Sequence, residues 1–180
     1  MNTVLTIPSI SGKITEAAME FTAFCRQLPG DQFFYQPEGK WSAARQTRHL
    51  IKATDTARLA FTLPRFLVRI VGGKPNRASR SYDELVARYH QKLEQGGQAS
   101  GRYIPGPILT GYGKDKLLAE FTRSMERFAA ALQRNRKEEE LDRYLAPHPL
   151  LGKITLRELG YFTIYHCHHH QENISRMLTA

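Results

Sequence analysis

Apolar residues recur every three to four positions in five stretches of the chain, and this spacing predicts amphipathic α-helices. The stretches cover residues 11–28, 42–62, 81–95, 115–136 and 156–178. No stretch shows the Val-rich alternation of apolar and polar residues that is typical of a strand. The pattern therefore predicts an all-α fold, a four-helix bundle with additional short helices and long loops.

Residues that cap helices stand at the start of three of these stretches. Ser42 is a good N-cap for the second helix. Ser81 and Glu84 are three positions apart, as are Thr155 and Glu158, and each pair has the sequence of a capping box. Helix-ending residues follow the first three stretches, namely Pro29-Gly30, Pro64 and Gly96-Gly97.

Four connecting segments lack a long helical pattern. Residues 33–41 and 100–113 contain Gly and Pro and are predicted to be loops, the second lying across one end of the bundle. Residues 65–71 form a short apolar piece after Pro64. The charged run 134–143 is predicted to be an exposed turn or a frayed helix end.

Length and composition suit one globular domain that comprises residues 1–180. Hydrophobic residues make up 41% of the chain, which is enough for a core. Every apolar run is shorter than the roughly 18 residues that a membrane-spanning helix needs. The first ten residues show no signal-peptide pattern, and two Cys are too few for a disulfide framework. We therefore expect a cytoplasmic protein without membrane association.

The net charge of +9 raises the alternative of a basic protein that associates with nucleic acid. Much of the excess lies in one stretch, at Arg58, Arg65, Arg69, Lys74, Arg77 and Arg80. Such a diffuse patch is more often a solvated face, and no nucleic-acid-binding motif accompanies it. Binding of nucleic acid is therefore the weaker interpretation.

The last predicted helix contains the run Tyr-His-Cys-His-His-His, residues 165–170. At about 100° per residue, His170 lies about 40° from His166 and His169 about 60° from it, whereas His168 lies nearly opposite. Side chains four residues apart are neighbours on a helix, so two imidazoles at that spacing can bind one cation. The pair His166 and His170 is the preferred choice, with His169 as the rival of His170.

A third ligand must come from another segment. His49 lies about two turns into the second helix and is followed by Leu50 and Ile51, so we expect it to face the core. A buried imidazole needs a polar partner, and either a metal ion or another polar group of the protein meets that need. His90 is flanked by polar residues and is expected at the surface, whereas His148 stands between two prolines and is expected in a loop.

Two motifs resemble those of the DinB-like (DinB/YfiT) superfamily of four-helix-bundle proteins. Trp41-Ser42 followed by His49-Leu50 is similar to the family's element at the start of its second helix. Residues 148–174, HPLLGKITLRELGYFTIYHCHHHQENI, resemble the family's final helix. The family often has Gly-Gln before the closing Ile, where this chain has Glu172-Asn173. This departure concerns the groups that support the ligands and not the ligands themselves.

The resemblance implies a metal triad at His49, His166 and His170 and a metal-dependent enzyme. Family members include thiol-dependent transferases and isomerases, and others are proposed metal-dependent hydrolases. The implied cofactor is a divalent ion, zinc or nickel, with a low-molecular-weight thiol as a second candidate cofactor. The alternative is a metal-containing binding or stress-response protein without catalysis.

The sequence names no general base and no substrate. Glu172 lies on another side of the helix from His166, and neither HExxH nor a Ser-His-Asp pattern is present. Cys167 is off the ligand face and is expected to be a packed thiol. The catalytic residues therefore stay undefined.

We expect a homodimer, because the apolar part of the loop around Ile104, Ile108 and Leu109 offers a surface for a partner and bundles of this superfamily commonly pair. Light scattering at tens of micromolar should give twice the chain mass. A single monomer mass would contradict this prediction.

Overall fold

A computed structural model describes residues 4–179. Within these residues the chain is mostly helical, as predicted, with seven α-helices and one hairpin. The elements are α1 (Ile7–Gln27), α2 (Gly30–Phe34), α3 (Ala43–Thr62), α4 (Arg65–Gly72), α5 (Tyr82–Glu94), α6 (Lys114–Asn135), β1 (Leu145–His148), β2 (Gly152–Thr155) and α7 (Leu156–Leu178). Within the same residues, no helix is both long and apolar enough to cross a membrane.

The long helices surround one core. Helix α6 packs against α3 and α1, and α7 packs against α1 and α3. Phe21 and Phe121 meet at the α1–α6 contact with ring centres 5.0 Å apart, and Phe61 and Phe128 meet between α3 and α6 at 5.1 Å. These four rings are fully buried, so aromatic packing fixes the distance between the helices. The residues that face α7 from α3 are thereby held in place.

Several boundaries differ from the sequence prediction. Helix α1 begins at Ile7 rather than Ser11, because the Thr6 side chain accepts a hydrogen bond from the Ser9 backbone and caps it. Phe33 and Phe34 end the short helix α2 rather than opening a loop. The apolar piece after Pro64 is the helix α4, because proline is well tolerated just before a first helical turn.

The expectation that His148 lies in a loop is wrong. Residues 145–148 pair antiparallel with residues 152–155, and His148 ends β1 opposite Gly152. The strands are four residues long and too short for an alternating pattern to be recognised. The hairpin packs against α4, where a Cβ on Gly72 would lie only 2.0 Å from the Leu145 carbonyl oxygen, so this contact requires glycine.

Half of the charged run 134–143 is exposed, as expected, but three of its residues are buried. The side chains of Arg136 and Glu140 are buried, and Leu141 is fully buried. Arg136 donates hydrogen bonds to the carbonyl oxygens of Ala60 and Leu63 at the end of α3. Buried charged groups of this kind are stable when they have polar partners. The charged pattern in the sequence therefore gave no sign that this segment is bonded to the end of α3.

The basic stretch is largely paired rather than freely solvated. Four of its six cations lie within 4.0 Å of a carboxylate: Arg58 of Asp55, Arg65 of Glu140, and Arg77 and Arg80 of Glu158.

The loop expected to carry a dimer contact does expose Ile104 and Leu109.

Glu158 joins the start of α7 to the segment before α5. Its side chain accepts hydrogen bonds from Arg77, from the Arg80 backbone and from the Thr155 backbone, and it is fully buried. Burial alone would raise the pKa of this carboxyl, but the hydrogen bonds, led by that of Arg77, outweigh it and lower the pKa. The sequence-predicted capping boxes at Thr155 and Ser81 are both present.

Glu158→Ala should lower the free energy of unfolding by about 2–4 kcal/mol, because buried charge-assisted hydrogen bonds are lost. Glu84→Ala is the matched control, since Glu84 holds the same position in an exposed capping box and should cost much less. Chemical denaturation at neutral pH measures both. The contribution of Glu158 should be present above its unfolded pKa near 4.5 and disappear as the pH falls through its lower folded pKa. Equal losses in the two variants would contradict the prediction.

Candidate metal centre

His49 is placed by the start of α3. The Ser42 hydroxyl accepts a hydrogen bond from the Arg45 backbone, which fixes where the helix begins, as the sequence predicted. Two turns later His49 faces α7 and is buried. Trp41, the only tryptophan of the chain, lies against it with ring centres 5.2 Å apart.

His166 and His170 are placed one turn apart on α7, and both are buried. Helix α7 can approach α1 closely at Gly160, where a Cβ would lie 2.8 Å from Ile10 Cγ2. A larger residue there would push the two helices apart. The close packing and the capping box at Thr155 set the position of the helix that carries both histidines.

The three imidazoles converge through their Nε2 atoms. His166 Nε2 lies 3.2 Å from His49 Nε2 and 3.0 Å from His170 Nε2. One ligand atom from each residue can be chosen so that all three lie within 4.8 Å of one another. Two nitrogens on one tetrahedral zinc ion are separated by about 3.3 Å, since each Zn–N bond is about 2.0–2.1 Å. The cluster can therefore hold a divalent ion with little rearrangement.

Hydrogen bonds on the far side of two rings set their proton positions. His49 Nδ1–H donates to the Tyr103 carbonyl oxygen at 2.7 Å, and a carbonyl can only accept. His170 Nδ1–H donates to Gln46 Oε1 at 2.8 Å, while Gln46 Nε2 donates to the Trp41 carbonyl and so fixes the amide orientation. The Nε2 atoms of His49 and His170 are consequently unprotonated and direct lone pairs at His166. This is the arrangement that metal ligands require.

Burial keeps these rings neutral. Desolvation lowers the pKa of His49, and it lowers the pKa of His166 and His170 well below 6.5. The neighbouring imidazoles lower the pKa of His166 and His170 further, because two adjacent cations would repel. At neutral pH all three rings are therefore neutral, and the Nε2 atoms of His49 and His170 are available to a metal ion without losing a proton first.

His169 does not join the cluster. Its Nε2 accepts a hydrogen bond from Asn173 Nδ2 at 2.9 Å, and Arg176 donates to Asn173 Oδ1, which fixes the orientation of that amide. The geometry thus brings His170, and not its rival, to His49 and His166. Asn173 is one of the two positions at which the sequence departs from the family pattern described above. Its side chain bonds His169 rather than a histidine of the cluster.

Other residues weighed in the sequence lie away from the converging nitrogens. Cys167 is buried and its thiol contacts the Thr163 carbonyl, as expected for a packed thiol, and burial raises its pKa. His168 lies near Glu20 on another side of α7. His90 is exposed and contacts the Tyr165 hydroxyl.

Sequence reasoning missed Gln46 and Tyr103. Gln46 lies three residues before His49 on the same helix face, a spacing that could have drawn attention to it. Tyr103 contributes a backbone carbonyl, which leaves no signal in a sequence. Its loop is held over α3 because Arg45 donates to the Pro105 carbonyl at 2.9 Å and Lys52 to the Ile104 carbonyl at 3.2 Å.

A cavity of about 500 Å³ reaches the cluster, and His49 and His166 form part of its wall. The rest of the wall is mainly apolar and comes largely from α3, α4, the hairpin and α7, with Tyr89 of α5 and residues of the loop 99–103. Arg102 is the only cationic side chain that lines it, and no Asp or Glu from residues 4–179 does so. A small molecule in this cavity would therefore lie beside His49 and His166.

Comparison with known proteins gives one result at the family level. The family model described as the DinB superfamily matches residues 13–174, which is most of the chain and includes all three histidines. No curated protein and no solved structure matches the chain significantly.

Replacing any one of the three converging histidines should sharply lower the metal content of protein purified with zinc, because a site with two remaining ligands binds weakly. The variants are His49→Ala, His166→Ala and His170→Ala. Elemental analysis per chain measures the loss. Controls that should retain the metal are His90→Ala, His148→Ala, Cys167→Ala, His168→Ala and His169→Ala. Stoichiometric metal in His49→Ala, or loss in His169→Ala with retention in His170→Ala, would refute the assignment.

The metal-free protein should lose stability in acid. The folded-state pKa values of the three histidines are lowered, so below about 6.5 the unfolded chain binds protons that the folded chain does not. The free energy of unfolding should therefore fall as the pH drops from 7 to 5, and saturating zinc should raise it at each pH. Denaturation with and without zinc tests this, and equal pH slopes for wild type and the triple variant H49A/H166A/H170A would contradict it.

Proposed function

The chain belongs to the DinB superfamily, and from this premise we propose that it is a metal-dependent enzyme that acts on a small molecule. In this proposal His49, His166 and His170 hold one divalent ion, zinc or nickel. The four long helices α1, α3, α6 and α7 form the DinB-like bundle that carries the site.

The observation that carries the proposal is the cavity of about 500 Å³ at the cluster. A purely structural metal site is closed, whereas a catalytic one keeps a position for water or substrate. Here two of the three histidines form part of the cavity wall, so a molecule in the cavity has access to their side of the site. This favours catalysis over the alternative of a metal-containing protein without catalysis.

The composition of the wall restricts the chemistry. When bound, a divalent ion supplies a Lewis-acidic centre that lowers the pKa of a water or thiol bound to it. Among residues 4–179, no carboxylate lines the cavity to act as an additional base. We therefore propose that the nucleophile is a thiol or a water molecule whose proton is released to solvent. The nucleophilic atom bonds to the electrophilic centre of the substrate, and the leaving group departs with the bonding electrons.

The chain's own groups orient and shelter this reaction. The Tyr103 carbonyl and Gln46 hold His49 and His170 in the ligand tautomer. Apolar side chains from α3 and α4 line the cavity and make it less polar than bulk water, which strengthens electrostatic interactions inside it. A thiol-dependent transferase and a hydrolase share these requirements, and they differ in which nucleophile the site accepts.

Cobalt(II)-loaded protein tests whether the site is open. Addition of 2-mercaptoethanol or of azide should change its visible absorption, because a new ligand enters the coordination sphere. Ala53→Phe, one turn from His49 in the cavity wall, should weaken this response at least about tenfold, which corresponds to about 1.4 kcal/mol, while the cobalt content stays stoichiometric.

Ala87→Phe is the matched control, because Ala87 is an exposed alanine on α5 and does not line this cavity. It should respond like the wild type. A response to the thiol alone favours a transferase, and a response to azide alone favours hydrolysis. A wild-type spectrum that neither ligand changes would reject the enzyme and support the non-catalytic alternative.

A further inference from the structure

His148 is a polar group in an otherwise apolar part of the cavity. It ends β1 and lines the cavity together with His49 and His166. The ring of Phe162 contacts both His148 and His166, with its centre 4.2 Å from that of His148 and 4.7 Å from that of His166. His148 therefore lies on the wall near the converging nitrogens but is separated from them by an aromatic ring.

The hairpin turn sets the proton position of His148. Its Nδ1 accepts hydrogen bonds from the backbone N–H groups of Leu150 at 3.2 Å and Leu151 at 3.1 Å. A nitrogen that accepts two such bonds carries no proton, so the neutral ring must carry it on Nε2. Burial lowers the pKa of His148 to about 4, which keeps the ring neutral at physiological pH.

The Nε2–H group of His148 is a donor without a protein acceptor among residues 4–179. This nitrogen is not fully enclosed by protein atoms, so it reaches accessible space. The ring is half-buried and lines the cavity, so an acceptor atom of a cavity-bound molecule can reach this donor. A fixed donor in an apolar wall is the usual means by which a pocket orients its ligand.

We propose that the cavity takes a small molecule with an apolar body and a carbonyl or carboxylate oxygen, and that His148 Nε2–H binds this oxygen while the reacting group lies at the three histidines. This substrate class rests on the proposed function. His148 is then a specificity-determining residue that is not a metal ligand. Arg102, the cationic side chain of the wall, favours the carboxylate form of such a molecule.

His148→Asn separates the two roles of the ring. The Asn side-chain oxygen can still accept from the backbone two residues on, as in an Asx-turn, so the hairpin keeps an acceptor. The shorter side chain cannot place a donor where Nε2–H lies. His90→Asn is the matched control, because His90 is an exposed histidine on α5 that does not line the cavity.

Calorimetry on zinc-loaded protein should compare 4-phenylbutan-2-one and 4-phenylbutanoate with n-butylbenzene, which has the same apolar body and no oxygen. Wild type and His90→Asn should bind the two oxygen-bearing probes more tightly than n-butylbenzene. His148→Asn should weaken binding of those two probes by roughly 3- to 10-fold, as expected for one hydrogen bond, and leave n-butylbenzene unchanged. In the wild type, the His148 Nε2–H resonance should move with the oxygen-bearing probes and not with n-butylbenzene.

Three outcomes would overturn the inference. These are an equal loss of affinity for all probes in His148→Asn, unchanged affinity for all of them, and no binding of any probe to the wild type. Zinc content, measured on the same samples, distinguishes this failure from that of the proposed function. Stoichiometric zinc with a cobalt site that accepts a thiol or azide, but no oxygen preference that depends on His148, would reject only the substrate class.

Discussion

Three ring nitrogens that face one another in a buried space form the arrangement on which the rest of this structure depends. His49 and His170 donate through Nδ1 to Tyr103 and Gln46, so their Nε2 atoms carry no proton. His166 can donate from its Nε2 to at most one of these two neighbours. Burial lowers the pKa of all three rings, so protonation does not relieve the repulsion between lone pairs near neutral pH. A cation among them is the partner that this geometry suits, and its binding energy would act on the folded chain alone.

The supporting groups come from parts of the chain that are distant in sequence. Arg45, His49 and Lys52 stand on one face of α3, at about helical spacing, and each donates to a carbonyl of residues 103–105. The same loop therefore orients a candidate ligand and covers it. On the other side, Glu158 ties the start of α7 to the segment before α5. Contacts within the protein alone hold two long helices and one loop against each other, and these contacts fix the positions of the three histidines.

The sequence was sufficient for features that local spacing determines. The five helical periods, the capping boxes at Ser81 and Thr155, and the i, i+4 pair on α7 all depend on residues within one or two turns. Features that depend on backbone atoms or on tertiary pairing were not accessible. The Tyr103 carbonyl has no side-chain signature, and the hairpin strands are too short to show a period.

Charge also misled the sequence prediction. A charged run normally indicates a solvated segment, yet Arg136 and Glu140 are buried because they find partners that only the folded chain provides. The same limit applies to His148, whose place between two prolines suggested a loop. Its position in the cavity wall follows from the pairing of β1 with β2 and from the packing of the hairpin against α4. No spacing within the sequence encodes that neighbourhood.

The position of Trp41 has an optical consequence. It is the only tryptophan of the chain, and its ring lies 5.2 Å from that of His49. Indole emission is quenched by a nearby ion with a partly filled d shell, whereas the filled shell of zinc leaves it bright. The fluorescence of this protein should thus distinguish zinc from nickel or cobalt, because either of the latter two at the histidines would quench the emission and zinc would not. Trp41, which precedes the N-cap of α3 and packs on a candidate ligand, is therefore a built-in reporter of the bound metal.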